Sequence, residues 1–173
     1  MSFTESNTVE AYLYDLLSGP ARPVAVNVIQ EPESHYGRAH KGLGWRRIAS
    51  ADIPRQMQEV LVEKWVREAL IRLNPEIAAD PELADQVLYK LRAIILSVRS
   101  DGLIRANEEM TAWLRGERSM PFGQNNEHVP IRLIDFDNLD QNQYVVTQQF
   151  VYRAGSAERR ADLVLLVNGF PLV

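Results

Sequence analysis

The run Leu163-Val164-Leu165-Leu166-Val167 is entered by Arg159-Arg160-Ala161-Asp162 and left through Asn168-Gly169 into Phe170-Pro171-Leu172-Val173, and it constrains this chain more than any other stretch. A short unbroken apolar run bounded by turn formers reads as a central strand covered on both faces. Asn-Gly directly after it is a strong short-range hairpin signal. The chain therefore needs a sheet with packed material on both sides, and Asp162 falls at the mouth of its central strand. Apolar strands are poor places for a natural chain to stop, so the expectation is part of a longer protein cut beside a candidate site.

With 173 residues, 46% of them hydrophobic, the chain is long enough for one well-cored domain and short for two, so residues 1–173 are expected to form a single domain. A formal net charge of −4 argues against a free-standing, non-specific nucleic-acid binder, leaving a local patch or a partner to make any such contact. The absence of cysteine excludes disulfides, thiolate metal sites and cysteine nucleophiles. No basic-then-apolar leader opens the chain and no stretch approaches a membrane span, which gives the expectation of a soluble, cytoplasmic protein.

Val9, Tyr12, Leu13, Leu16 and Leu17 recur at helical spacing, with Asn7 and Glu10 at the offset of a capping pair and Gly19-Pro20 as a stop. From Ala21 to Ser50 the chain reads as loop, apart from a weak strand over Val24 to Ile29. A second helix is expected from Asp52 and Pro54 through Met57, Val60, Leu61, Trp65, Ala69 and Leu73 to Asn74-Pro75. A third starts at Asp80-Pro81 with one wide apolar stripe from Leu83 to Val98. A fourth runs from Leu103 to Arg115, buries Met110, Trp113 and Leu114, and ends at Gly116.

Beyond Gly116 the period becomes alternating. Val129, Ile131 and Leu133, then Tyr144 to Tyr152, then Asp162 to Val167 read as strands. Helices first and strands last imply an α/β fold, a mixed sheet flanked by helices.

Asp162 carries the most chemistry. Strand-end carboxylates hold Mg2+ against a phosphate, but equally form structural ion pairs, here with Arg159 or Arg160. Arg38, His40, Lys41, Arg46 and Arg47 surround Trp45 in a basic segment that is either a DNA-touching loop or a solvated loop with Trp45 packed on the core. Arg153, Arg159 and Arg160 lie nearer Asp162 and are better placed for phosphate. Gln148-Gln149 either approaches the active strand or makes cross-strand hydrogen bonds, and Glu10 reads more simply as a cap than as a metal ligand. His35 and His40 have no third ligand at a recognised zinc spacing, and Ser156 reads as a turn.

Several segments in order resemble the amino-terminal nuclease region of the restriction subunit of type I restriction-modification enzymes. They are Thr4-Glu5-Ser6 with Val9-Glu10, Val60-Leu61 with Arg67-Glu68-Ala69-Leu70 and Leu73-Asn74-Pro75, Ile131 to Phe136, Asn142 with Gln148-Gln149-Phe150, and Arg159 to Asp162 with Asn168 to Leu172. The departure is Ala161, where the family usually has proline. The resemblance implies a PD-(D/E)xK nuclease core lacking its C-terminal part, cleaving double-stranded DNA with Mg2+ after ATP-driven translocation, in a complex with modification and specificity subunits. Asp162 then matches the first catalytic acid and metal ligand. The Glu-x-Lys would follow roughly three to five residues past Val173, and the ATP-binding motor motifs are absent from this chain, so this piece alone is expected to be inactive. The alternative is a non-catalytic, nuclease-like module docking to a partner subunit.

Alternation along a strand adds a constraint. A plain two-residue Asn168-Gly169 loop would set that Glu-x-Lys on the face opposite Asp162, so a three-residue loop or a bulge is expected, with Gly169 left-handed.

Overall fold

The structure, a computed structural model, describes residues 9–19 and 42–172. In chain order its elements are α1 (Ala11–Ser18), β1 (Arg46–Arg47), α2 (Glu63–Leu73), α3 (Pro75–Ala79), α4 (Leu83–Asp101), α5 (Leu103–Leu114), β2 (Ser119–Met120), β3 (Val129–Pro130), β4 (Tyr144–Ala154), β5 (Ala157–Val167) and β6 (Phe170–Pro171). The fold is mixed α/β with a mixed sheet. The described residues fall into two compact units, the first holding those up to Ile53 with Tyr144–Leu166 and Leu172, the second holding Pro54–Gln143 and Val167–Pro171.

The helical unit forms as the apolar stripes require. Val66 and Leu70 from α2, Ile77 from α3, and Val87, Leu88 and Leu91 from α4 share one core with Trp113, Ile131, Leu133 and Phe170. Side chains of this size contribute about 1.5–3 kcal/mol each when fully buried. α4 and α5 match expectation closely. Gly116 (φ 73°) ends α5 because its N–H donates to the Trp113 carbonyl while Glu117 N–H donates to the Ala112 carbonyl, the paired bonds of a helix terminus closed by a left-handed residue.

α2 starts later than expected, at Glu63 rather than near Pro54. Val62 N–H donates to the Gly169 carbonyl at 2.9 Å, and the Arg55 guanidinium bonds the carbonyls of Gln56 and Glu59, so that preceding stretch satisfies its polar groups outside a helix. α3 follows α2 directly, with Pro75 at its first turn, where a missing N–H costs nothing. The expected Val129–Leu133 strand shrinks to Val129–Pro130, paired antiparallel with β2, yet Ile131 and Leu133 are buried.

In the first unit, β1 pairs in parallel with β4, Arg46 beside Val145 and Arg47 beside Val146, where the sequence suggested only loop. β4 and β5 form a long hairpin closed by Gly155-Ser156. α1 does not bury its expected stripe: Val9, Tyr12 and Leu13 are exposed and Tyr14 is buried. The Arg47 guanidinium lies 4.2 Å from the Tyr14 ring centroid and bonds Asp15 Oδ1, Ser18 Oγ and the Gly19 carbonyl, which fixes that face inward. Glu10 makes no side-chain cap bond. Asn7, the Val24–Ile29 strand, His35 and His40 lie outside the described residues.

The carboxylate strand and its turn

Asp162 stands exposed on β5, two residues before the buried Val164. Its cross-strand partner is Gln149, whose Nε2 reaches Asp162 Oδ1 at 3.4 Å, and nearer the hairpin tip Arg153 bonds Glu158 Oε2 at 2.7 Å in the same register. Gln149 has φ 56°, a left-handed conformation unusual for a non-glycine residue inside a strand. The Gln149 contact is a cross-strand one, with the candidate acid as its acceptor. No ion pair joins Asp162 to Arg159 or Arg160 among the described residues, so the structural ion-pair reading of this carboxylate is not realised there.

The basic candidates separate. Arg159 and Arg160 are exposed on β5, and Arg159 Nη1 touches only the Glu158 carbonyl at 3.4 Å. Arg46 is exposed on β1, whereas Arg47 is committed to α1 as described. Lys41 and Arg38 lie outside the described residues. Trp45, half-buried, packs edge-on against the half-buried Tyr144, with ring centroids 5.2 Å apart.

The turn after β5 departs from expectation. Asn168 (φ 51°) and Gly169 (φ 88°) form a two-residue loop with both central residues at positive φ, and Leu172 N–H donates to the Leu165 carbonyl at 2.8 Å. Gly169 is left-handed as expected, but the loop is not odd-length and β5 runs unbroken from Ala157 to Val167. Two features enforce this. Pro171 has no N–H and takes the position between Phe170 and Leu172 that needs no ladder donor. A Cβ at Gly169 would sit 2.6 Å from the Val62 carbonyl, so only glycine fits that approach. By alternation position 175 lies across from Asp162, so a Glu-x-Lys starting three or five residues past Val173 faces away from Asp162 unless a bulge follows Leu172. The assignment of Asp162 as first acid loses support from this turn and rests on the sequence match.

Sequence reasoning missed the network that holds the turn. Asn168 is fully buried, and its Nδ2 donates to the Leu133 carbonyl and to Asn142 Oδ1, while its Oδ1 accepts from Gln143 N–H and Arg72 Nη2. Asn142 Oδ1 also accepts from Asp135 N–H, and its Nδ2 donates to the Asp135 carbonyl. Asn74 bridges the Leu70 and Arg132 carbonyls and accepts from Arg132 N–H. The buried Asp135 Oδ1 accepts from the Asp137 and Asn138 backbone N–H groups; these bonds, that of Asn138 foremost, with Arg132 nearby, hold its carboxyl below the ordinary range. Asn and Asp residues inside the matched segments were the available signal: Asn74, Asp135, Asn142 and Asn168 all belong to it.

Mg2+ is commonly held by one or two carboxylates together with substrate phosphate and water, and exposed Asp162 fits as one such carboxylate. No group of three or more His, Asp or Glu able to hold a metal exists among the described residues. A cleft in the second unit brings Lys90, Arg105, Arg118 and His128 together with Asp101, Glu108 and Glu109, but Arg118 is paired with Glu109 and the mixed charge favours no ligand. Among the described residues no helix is long and apolar enough to cross a membrane.

A family model described as the type I restriction enzyme R protein N terminus matches residues 38–173. The chain is 28% identical over 146 residues to the type I restriction enzyme HindI endonuclease subunit of Haemophilus influenzae, an alignment covering 77% of this chain and 13% of that protein. It is 26% identical over 98 residues to the putative type I restriction enzyme MjaIXP endonuclease subunit of Methanocaldococcus jannaschii, covering 54% of this chain and 9% of that protein. The chain thus spans a small part of the length of these relatives. No solved structure matches it.

Proposed function

Because the chain belongs to the type I restriction enzyme R protein N-terminal family, we propose that it forms the first part of a nuclease domain that hydrolyses double-stranded DNA phosphodiesters with Mg2+, Asp162 being one metal-holding carboxylate. The observation that carries this reading is Asp162 itself, an exposed carboxylate two residues before the buried part of β5, with the side-chain amide of Gln149, a residue at positive φ, as its neighbour. A bound Mg2+ would polarise the phosphate and lower the pKa of an attacking water. The part of this chain is to present one oxygen ligand on β5 and to offer positive charge beside the phosphates. The second acid and lysine come from residues outside this sequence, on a strand that must switch face beyond Leu172. In this reading the intact subunit couples cleavage to ATP-driven translocation and assembles with modification and specificity subunits, as its family implies.

The test is supercoiled plasmid incubated across a range of Mg2+ with the 173-residue chain and with the complete subunit in its complex. The chain alone leaves plasmid intact while the complete subunit linearises it. Nicking by the short chain that vanished in Asp162→Ala would mean that the missing acid and lysine are dispensable. A complete complex that binds its partners but never cleaves would favour the non-catalytic docking module.

A further inference from the structure

Resting on the nuclease reading above, we infer that Arg160 alone of the three hairpin arginines grips a phosphate of the duplex that Asp162 faces. β5 is unbroken from Ala157 to Val167, so side chains two apart share a face. Glu158, Arg160 and Asp162 therefore point one way and Arg159 the other. The Gln149 contact to Asp162 and the Arg153 contact to Glu158 identify the matching face of β4. On that face stand an amide, two carboxylates and two guanidiniums, but the two arginines are not equivalent. Arg153 is already bonded through Nη2 and Nε to Glu158 Oε2, which offsets its charge. Arg160 is exposed and its side chain makes no hydrogen bond or ion pair among the described residues. It lies about 7 Å along the strand from Asp162, at two residues of rise, so the two groups can reach different oxygens of one duplex backbone. A guanidinium fork there can take one phosphate bidentately while Asp162 faces the next. Arg159 has the same formal charge and the wrong face.

That difference makes the test charge-matched. The 173-residue chain is titrated into a fluorescent short DNA duplex by anisotropy over a salt series, with circular dichroism confirming each variant's fold. Arg160→Ala is expected to weaken binding and to reduce the slope of log affinity against log salt by about 0.9, one phosphate's worth. Arg159→Ala and the charge-neutral double Arg153→Ala with Glu158→Ala keep the wild-type slope, and Arg160→Lys keeps the slope with lower affinity. Arg160→Gln replaces the alanine variant if that one misfolds. An Arg159→Ala slope change equal to that of Arg160→Ala, or none with Arg160→Ala, overturns this inference and leaves the nuclease reading standing. Wild-type chain whose binding is absent or independent of salt overturns this inference, whereas plasmid left uncut by the complete subunit in its complex overturns the nuclease reading.

Discussion

Asn168 Nδ2 donates to Asn142 Oδ1 at 2.9 Å, joining the turn after β5 to a segment 26 residues earlier through two buried or half-buried amides. A single carboxamide therefore holds the two-residue turn that follows the candidate strand. Asn168→Ala removes bonds to the Leu133 carbonyl, Asn142, Gln143 and Arg72 and also places a less tolerant residue at φ 51°. Urea denaturation should show a loss of about 2–4 kcal/mol. Asn168→Gly, which relieves the backbone but not the lost bonds, should recover only the backbone share, and a loss under about 1 kcal/mol in the alanine variant would mean the network is not holding the turn.

Gly169→Ala should be at least as costly. Its new methyl would meet the Val62 carbonyl at 2.6 Å at a φ of 88°, so both backbone and neighbour must shift. A thermal midpoint lowered by several degrees, consistent with about 2 kcal/mol or more, is the expected result. An unchanged midpoint would show that the turn relaxes freely.

Asp135 predicts a pH dependence. Its folded pKa is lowered below the ordinary 3.8 by backbone N–H bonds, that from Asn138 first. A depressed carboxyl contributes its stability above the unfolded value and loses it as pH falls through the folded one. Stability of the wild-type chain should therefore decline below about pH 4, and Asp135→Asn, which keeps an acceptor without titrating, should flatten part of that decline. Parallel acid-unfolding curves for the two proteins would show that Asp135 is not the group responsible.

Arg47 should behave as a clasp. Arg47→Ala removes bonds to Asp15, Ser18 and Gly19 and the cover over Tyr14. Hydrogen exchange over Ala11–Ser18 should quicken, while the salt slope of DNA binding stays at the wild-type value. A flattened slope with unchanged exchange would return Arg47 to the DNA-contact group.

The two best-read helices were legible because their signals are local: apolar spacing from Leu83 onward, and Gly116 where the chain must turn left-handed. β1 was not, because a two-residue parallel strand has no period, and its pairing to Val145 and Val146 is set by residues about a hundred positions away. The start of α2 was misplaced since Val62 is bonded by Gly169, a long-range partner that outweighs the Asp52-Pro54 start signal. Asp162 could be picked from its place before an apolar run, and the matched segments identified the family. The buried network could not, because Asn74 read alone as a helix stop and Asn168 as a hairpin turn, and nothing local joins them to Asp135 and Asn142. Loop parity was misjudged for a related reason. Neither the close approach of Val62 to Gly169 nor the ladder position of Pro171 can be seen without the fold.

Asp162→Asn tests the central claim most directly, because it keeps size and hydrogen bonding while removing the negative charge a metal needs. The measurement is Mg2+-dependent plasmid cleavage by the complete subunit in its complex, with ATP hydrolysis and complex assembly recorded in the same preparation. The account predicts intact assembly and ATP hydrolysis with cleavage reduced on the order of 1000-fold or more. Cleavage within a few-fold of wild type would contradict it and remove Asp162 from the active site.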